Sequence, residues 1–187
     1  KAIRMISVST SVILLLRIPI GILDDSLRNV LLTFTVIGIF FGSIMWYGVK
    51  SELEGRPYWI ITMAGFAIYS ALNRNQLALL EWTMALMLGG SVLFLYSTRG
   101  RRLTVIPLIA VLGIVGLPFT PAAYGWQGVI VSGGFFRNVL LIFSMCLVLL
   151  GYLSHATIQT TLLSKKERWI WITYPIGLIL LILTQWL

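Results

Sequence analysis

The chain has 187 residues, of which 58% are hydrophobic and only 11% are charged, against about 25% charged in an average soluble domain. The mean hydropathy is +0.94. This composition excludes a separate soluble domain and predicts a single transmembrane domain over residues 1–187. The net charge of +8 would suit a nucleic-acid partner, but the basic residues stand in short segments between apolar runs. That pattern is typical of membrane topology and predicts no nucleic-acid partner.

Apolar runs of about 20 residues, each enough to cross the hydrocarbon core of a bilayer, recur along the whole chain. They predict an all-α, polytopic membrane helix bundle of about seven transmembrane helices, at 5–23, 29–49, 57–73, 76–97, 103–132, 135–157 and 169–187. The first residue is Lys1, and no signal-peptide pattern precedes the first span. We therefore expect the sequence to be a piece of a longer chain, or one whose start was removed.

Lysine and arginine alternate in number between successive loops, which predicts the orientation. One side holds ten of them: Lys1, Arg4, Lys50, Arg56, Arg99, Arg101, Arg102, Lys165, Lys166 and Arg168. The other side holds three: Arg28, Arg74 and Arg137. The N-terminus is predicted to be cytoplasmic (or in a matrix or stroma) and the C-terminus to lie on the opposite side, in a bacterial plasma membrane or an organellar inner membrane.

The fifth span is interrupted near its middle by a segment from Gly116 to Pro121. Pro118 and Pro121 each remove a backbone donor and clash with the preceding turn, so this transmembrane helix is predicted to be broken there. Thr120 and Gln127 are polar residues near the break and are candidate ion-translocation residues. Broken backbone inside a membrane is covered either by packed side chains or by a wet cavity, and the sequence leaves both alternatives open.

Two ionisable residues stand within apolar runs, and such residues are functional candidates because burying charge in lipid is costly. Arg17 lies about six residues from the outer end of the first span, and Glu81 lies about one turn inside the fourth. Their similar depth makes an Arg17–Glu81 pair reasonable. The pair would either hold two helices together or pass protons, with Arg17 and Glu81 as the ion-translocation candidates.

The residue types required for catalysis or for metal binding do not occur in a suitable pattern. No nucleophile adjoins a base, no carboxylates are paired at reaction spacing, and no glycine-rich phosphate loop is present, so no catalytic residues are predicted. His155 has no partner ligands nearby in sequence, and Cys146 is interpreted as a small buried hydrophobe. No metal and no cofactor is predicted.

The order of these features resembles the antiporter-like membrane subunits of complex I (NADH–quinone oxidoreductase) and of multisubunit cation/proton antiporters. The family has a broken helix of the type Gly-Leu/Ile-Pro-Pro-x-x-Gly-Phe-x-x-Lys, and residues 116–126 of this chain are similar to it. The segment Ser11-Val12-Ile13-Leu14-Leu15-Leu16-Arg17 is similar to the family's Gly-Val-Tyr-Leu-Leu-Leu-Arg. Two further segments resemble family stretches: Arg56-Pro57-Tyr58 leading to Ala64-Gly65-Phe66, and Leu79 to Leu93. The resemblance covers nearly the whole chain and corresponds to the second half of a family member.

The chain departs from the family at the positions that carry its intramembrane proton relay. The family's lysines and histidine align here with residues that do not titrate, namely Ser9, Leu53, Met63, Met84 and Trp126. The resemblance therefore implies a degenerate member that keeps the scaffold and has lost the pump.

The first function hypothesis is a non-catalytic integral membrane subunit with an antiporter-like fold, which serves as scaffold in a larger energy-converting membrane complex. Its partners would be other integral membrane subunits and lipids. One alternative is active proton or cation translocation that uses Glu81 and Arg17 at the broken helix. Another is a carrier for a small solute, or a subunit that contacts quinone, with its ligand at the break. An integral-membrane enzyme is the hypothesis least favoured by so few polar residues.

Overall fold

The computed structural model describes residues 23–95, 105–116, 120, 122–130 and 134–157, with a few isolated residues outside these ranges. All regular structure in this part of the chain is helical, as the sequence predicts. Most of the predicted first and seventh spans lies outside the described residues, as do Arg17, Pro118 and Pro121.

Seven α-helices and one π-helical segment follow one another in these ranges. They are α1 (Asp25–Gly48), α2 (Glu52–Leu72), α3 (Gln76–Met84), the π segment (Ala85–Gly89), α4 (Gly90–Leu95), α5 (Val105–Val115), α6 (Ala123–Ile130) and α7 (Phe135–Thr157). Three helices are long and apolar enough to cross a membrane: Asp25–Gly48, Phe135–Thr157, and α3 to α4 taken as one helix, Gln76–Phe94. The last of these would be about 28 Å long at 1.5 Å per residue, which is close to the thickness of a bilayer's hydrocarbon core.

Local sequence signals explain where α1 and α3 begin. The Asp24 carboxylate accepts a hydrogen bond from the Ser26 backbone N–H at 3.2 Å. The Asn75 side-chain oxygen accepts one from the Ala78 N–H at 3.0 Å. Each cap satisfies a backbone donor that the first turn of a helix leaves without a partner. Between α2 and α3 the chain turns at Arg74, which adopts a left-handed φ of 60°.

Close approach of small residues sets the packing of α1 against its neighbours. A Cβ atom added to Gly65 of α2 would lie 2.5 Å from Cγ1 of Ile39, and one added to Gly151 of α7 would lie 2.6 Å from Cδ1 of Trp46. Residues 39 and 46 of α1 contact residues 65 and 59 of α2, so these two helices are antiparallel. Such close packing, rather than a hydrophobic driving force, is what holds helices together in lipid.

The described helices follow the predicted spans with three differences. The helix α1 begins at Asp25, four residues before the predicted start at 29, and so includes Asp25 and Arg28. The helix α2 begins at Glu52, five residues before the predicted start at 57, and so includes Glu52 and Arg56. The fourth span is not a uniform α-helix, because Ala85–Gly89 forms a π-helical turn. A hydropathy pattern does not distinguish an α-turn from a π-turn, and π-turns are rare and concentrate at functional positions.

A tyrosine from α7 contacts the end of this π segment. The Tyr152 hydroxyl donates a hydrogen bond to the Gly89 carbonyl at 3.0 Å, across 63 residues of sequence, and both groups are buried. The hydrogen-bonding pattern changes from π to α at this position. The Tyr152 hydrogen bond therefore connects α7 to the irregular turn.

We expect Tyr152→Phe to lower the free energy of unfolding by about 1–2 kcal/mol, because the buried Gly89 carbonyl loses a donor. Tyr69→Phe is the matched control, since Tyr69 is equally buried and its hydroxyl has no hydrogen-bond partner in the part of the chain that the structure describes. That substitution should be neutral or slightly stabilising. Thermal unfolding in mild detergent measures both variants, and equal losses for the two would contradict the assigned bond.

Candidate functional site

The interruption of the fifth span begins where α5 ends, at Val115. Gly116 follows in the left-handed region with φ of +79°, a conformation that glycine adopts at helix ends without steric cost. The next helix, α6, begins at Ala123. The predicted span 103–132 therefore contains two separate helices, Val105–Val115 and Ala123–Ile130.

Two backbone hydrogen bonds organise the far side of the interruption. The Ala122 N–H donates to the Gly113 carbonyl at 3.3 Å, and the Ala123 N–H donates to the Thr120 carbonyl at 3.0 Å. The first bond joins the chain after the break to the last turn of α5, so a carbonyl that the helix end would leave free is satisfied. Thr120 itself is buried.

Aromatic rings from three helices fill the space around the interruption. The indole of Trp126, on α6, lies against Gly116 so closely that a Cβ atom there would overlap its Cδ1. The Trp82 ring, on α3, has its centroid 5.5 Å from that of Trp126 in an edge-to-face arrangement. Phe66, on α2, stacks on Trp82 at 4.8 Å. Packed aromatic side chains therefore line the described part of the break.

The helix α6 approaches α3 through two glycines. A Cβ atom on Gly125 would lie 2.9 Å from Cε2 of Trp82, and one on Gly128 would overlap the Cβ of Ala78. Gln127, between these two glycines, is exposed. The structure therefore separates the two polar candidates near the break, with Thr120 in the interior and Gln127 on the surface.

Glu81 lies on α3, one residue before the buried Trp82, and its own side chain is half-buried. It forms neither of the two ion pairs seen among the described residues, which are Arg28–Asp25 and Arg56–Glu52. Its predicted partner, Arg17, lies outside the described residues, so the pairing stays a prediction.

A second cluster of polar and aromatic side chains lies at the opposite end of α2, and sequence reasoning missed it. The predicted spans place Arg56 in a loop, but it belongs to α2. Its Nε donates to the Glu52 carboxylate at 3.0 Å. The Arg56 guanidinium lies 4.8 Å from the centre of the Phe94 ring. Both charged side chains are largely buried, with relative exposures of 19% for Arg56 and 11% for Glu52.

The core of this cluster is Trp46, which is fully buried. Its Nε1 donates to the Val148 carbonyl at 3.1 Å, and its ring lies 5.5 Å from Trp59 and 4.4 Å from His155. His155 Nε2 lies 3.3 Å from the Trp46 carbonyl oxygen. A Glu–Arg spacing of four residues could have indicated the ion pair, but no sequence signal places His155 beside Trp46.

The described residues offer no group of three or more histidine, cysteine or acidic side chains that could hold a metal ion. Cys146, expected to be buried, is exposed on α7, because the lipid-facing side of a membrane helix is as apolar as its packed side and hydropathy does not tell them apart.

No protein-family model and no curated protein matches this chain.

Proposed function

We propose that the chain is a non-catalytic integral membrane subunit, with an antiporter-like arrangement of about seven spans, that serves as scaffold in a larger energy-converting complex. Its N-terminus would be cytoplasmic, and its neighbours would be other integral membrane subunits and lipids. Three of the proposed spans are the long apolar helices. The other four are α2, the broken helix, and the predicted spans at 5–23 and 169–187.

The observation that carries the proposal is the aromatic filling of the break. A proton or ion path at this depth requires titratable side chains or water, and the space against Gly116 is occupied by the indole of Trp126. Trp82 and Phe66 continue the packing toward α3 and α2. An interior packed in this way supports a structural role for the break better than a conducting one.

The positions aligned with the family's relay support the same function. Met63 is fully buried in the core, and Met84 is 44% exposed on the surface of α3. Thioether side chains fill space and do not carry protons. Three other buried hydroxyls, those of Thr62, Ser70 and Thr83, each donate to the carbonyl four residues earlier. The donor of each is therefore used within its own helix.

The scaffold function is tested by purification of the chain from its native membrane in mild detergent, followed by mass measurement of the intact complex. We expect other integral membrane subunits in fixed stoichiometry. A chain that purifies alone, or as a homodimer, would contradict the proposal and favour a small-solute or quinone-contacting carrier.

Glu81 gives the sharpest test against the alternative of active translocation. Glu81→Gln removes the charge with little change in volume, and we expect proton or cation flux per assembled complex to stay within about twofold in reconstituted liposomes. The flux must be normalised to assembled complex, so that an assembly defect is not read as a transport defect. A flux that falls to the level of empty liposomes while assembly stays intact would instead establish Glu81 as a translocation residue.

A further inference from the structure

One side of α3 presents apolar side chains to the surroundings of the bundle. Leu77, Leu80 and Met84 recur at helical spacing and are 67%, 41% and 44% exposed. Glu81 lies among them, at the border with the buried side that Ala78 and Trp82 form against α6. The face formed by Leu77, Leu80, Glu81 and Met84 is called the Glu81 face below.

The carboxylate on this face lacks a counter-charge among the described residues, whose two ion pairs involve other acids. Glu81 is the sixth residue of a helix that is apolar enough to span a membrane, about 8 Å along the axis from its start. Acidic side chains at such depth are costly in lipid and are found paired or facing a protein interior. We therefore do not expect lipid acyl chains alone to cover the Glu81 face.

The outward face of α1 is the exposed apolar surface with which the Glu81 face can be compared. Phe34, Ile37, Phe41 and Ile44 are 43% to 68% exposed, and residues 29–49 contain no charged side chain. Both faces expose large apolar side chains. They differ in the single carboxylate, and a charged group in an apolar surface specifies a partner and its register.

We propose that the Glu81 face binds a transmembrane helix of another subunit, which places a lysine or arginine side chain opposite Glu81. This inference rests on the proposed function, since it requires a neighbouring subunit. The exposed leucines and Met84 supply the apolar contact with the incoming helix, and Met84 adapts its shape to it. The charge pair fixes the depth and rotation of that helix, because a shift by one residue would move the cation away from the carboxylate.

The test uses the intact complex with a photo-crosslinking amino acid at Leu80, and at Phe34 as the matched control. We expect Leu80 to crosslink to a transmembrane peptide of another subunit that carries a lysine or arginine, and Phe34 to crosslink to lipid. Glu81→Lys should lower recovery of that subunit by about tenfold or more. Changing the identified basic residue to glutamate in the same complex should restore the recovery.

Each other outcome overturns the inference. Crosslinks from Leu80 to lipid only, to a second copy of this chain, or to residues 1–22 of the same chain would assign the face to a different occupant. Recovery of the partner subunit within twofold of wild type for Glu81→Lys would show that no charge pair forms. A lower thermal midpoint for Glu81→Gln than for wild type would show that Glu81 stabilises the fold of this chain instead of binding a partner. Purification of the chain without any partner overturns the proposed function as well, whereas the other outcomes leave it standing.

Discussion

Gly116→Ala should lower the free energy of unfolding by about 3 kcal/mol. An L side chain in the left-handed region costs about 1–2 kcal/mol, and Gly116 has φ of +79°. The new Cβ would also overlap Cδ1 of Trp126, and forcing extra atoms into a packed interior costs about 1–3 kcal/mol. The thermal midpoint and denaturant unfolding in mild detergent measure the loss.

Two comparisons separate these causes. Gly38→Ala is the control, because a Cβ atom at Gly38 of α1 meets nothing within 4 Å, and alanine should be neutral or slightly stabilising in a helix. In a Trp126→Leu background the ring contact is gone, so Gly116→Ala should cost less than in wild type by an interaction energy above about 0.5 kcal/mol. Equal costs in both backgrounds would show that Trp126 does not fill the break.

Trp46→Ala should be the most destabilising change at the other end of the bundle, with a loss of about 3–5 kcal/mol. Trp46 is fully buried, contacts Trp59 and His155, and lies against Gly151. The substitution leaves a cavity among α1, α2 and α7 and removes the hydrogen bond to the Val148 carbonyl. The same unfolding measurements in detergent apply.

The control for this change is Phe34→Ala, an aromatic deletion on the same helix at a side chain that is 68% exposed. Lipid or detergent replaces the lost contacts there, so the expected effect is within about 0.5 kcal/mol. Trp46→Phe keeps most of the ring but removes the donor, and it should cost about 1 kcal/mol. If Phe34→Ala were as damaging as Trp46→Ala, the assignment of the packed and lipid-facing sides of α1 would be wrong.

Local signals in the amino-acid sequence predict where the long helices form and where the fifth span is interrupted. Apolar runs predicted 29–49, 76–97 and 135–157, and the structure has helices at Asp25–Gly48, Gln76–Phe94 and Phe135–Thr157. The predicted limits of these three spans agree with the helices to within four residues, because the signals are local. The largest difference is at the start of α1, where Asp24 caps the helix, and Asn75 caps α3 in the same way. The break was predicted for the same reason, since a proline acts on its own turn and the preceding one.

What surrounds these elements follows from contacts between helices. Packed side chains lie beside the break because Phe66, Trp82 and Trp126 meet there from three helices. A hydropathy pattern indicates that these residues are apolar but not that they meet. The contact of His155 with Trp46 spans 109 residues of sequence, and that of Tyr152 with Gly89 spans 63. The physical reason is that membrane helices are apolar on all sides. Close contact between small and aromatic residues of different helices then decides which side of each helix packs. The periodicity of residues along a single helix does not predict these contacts.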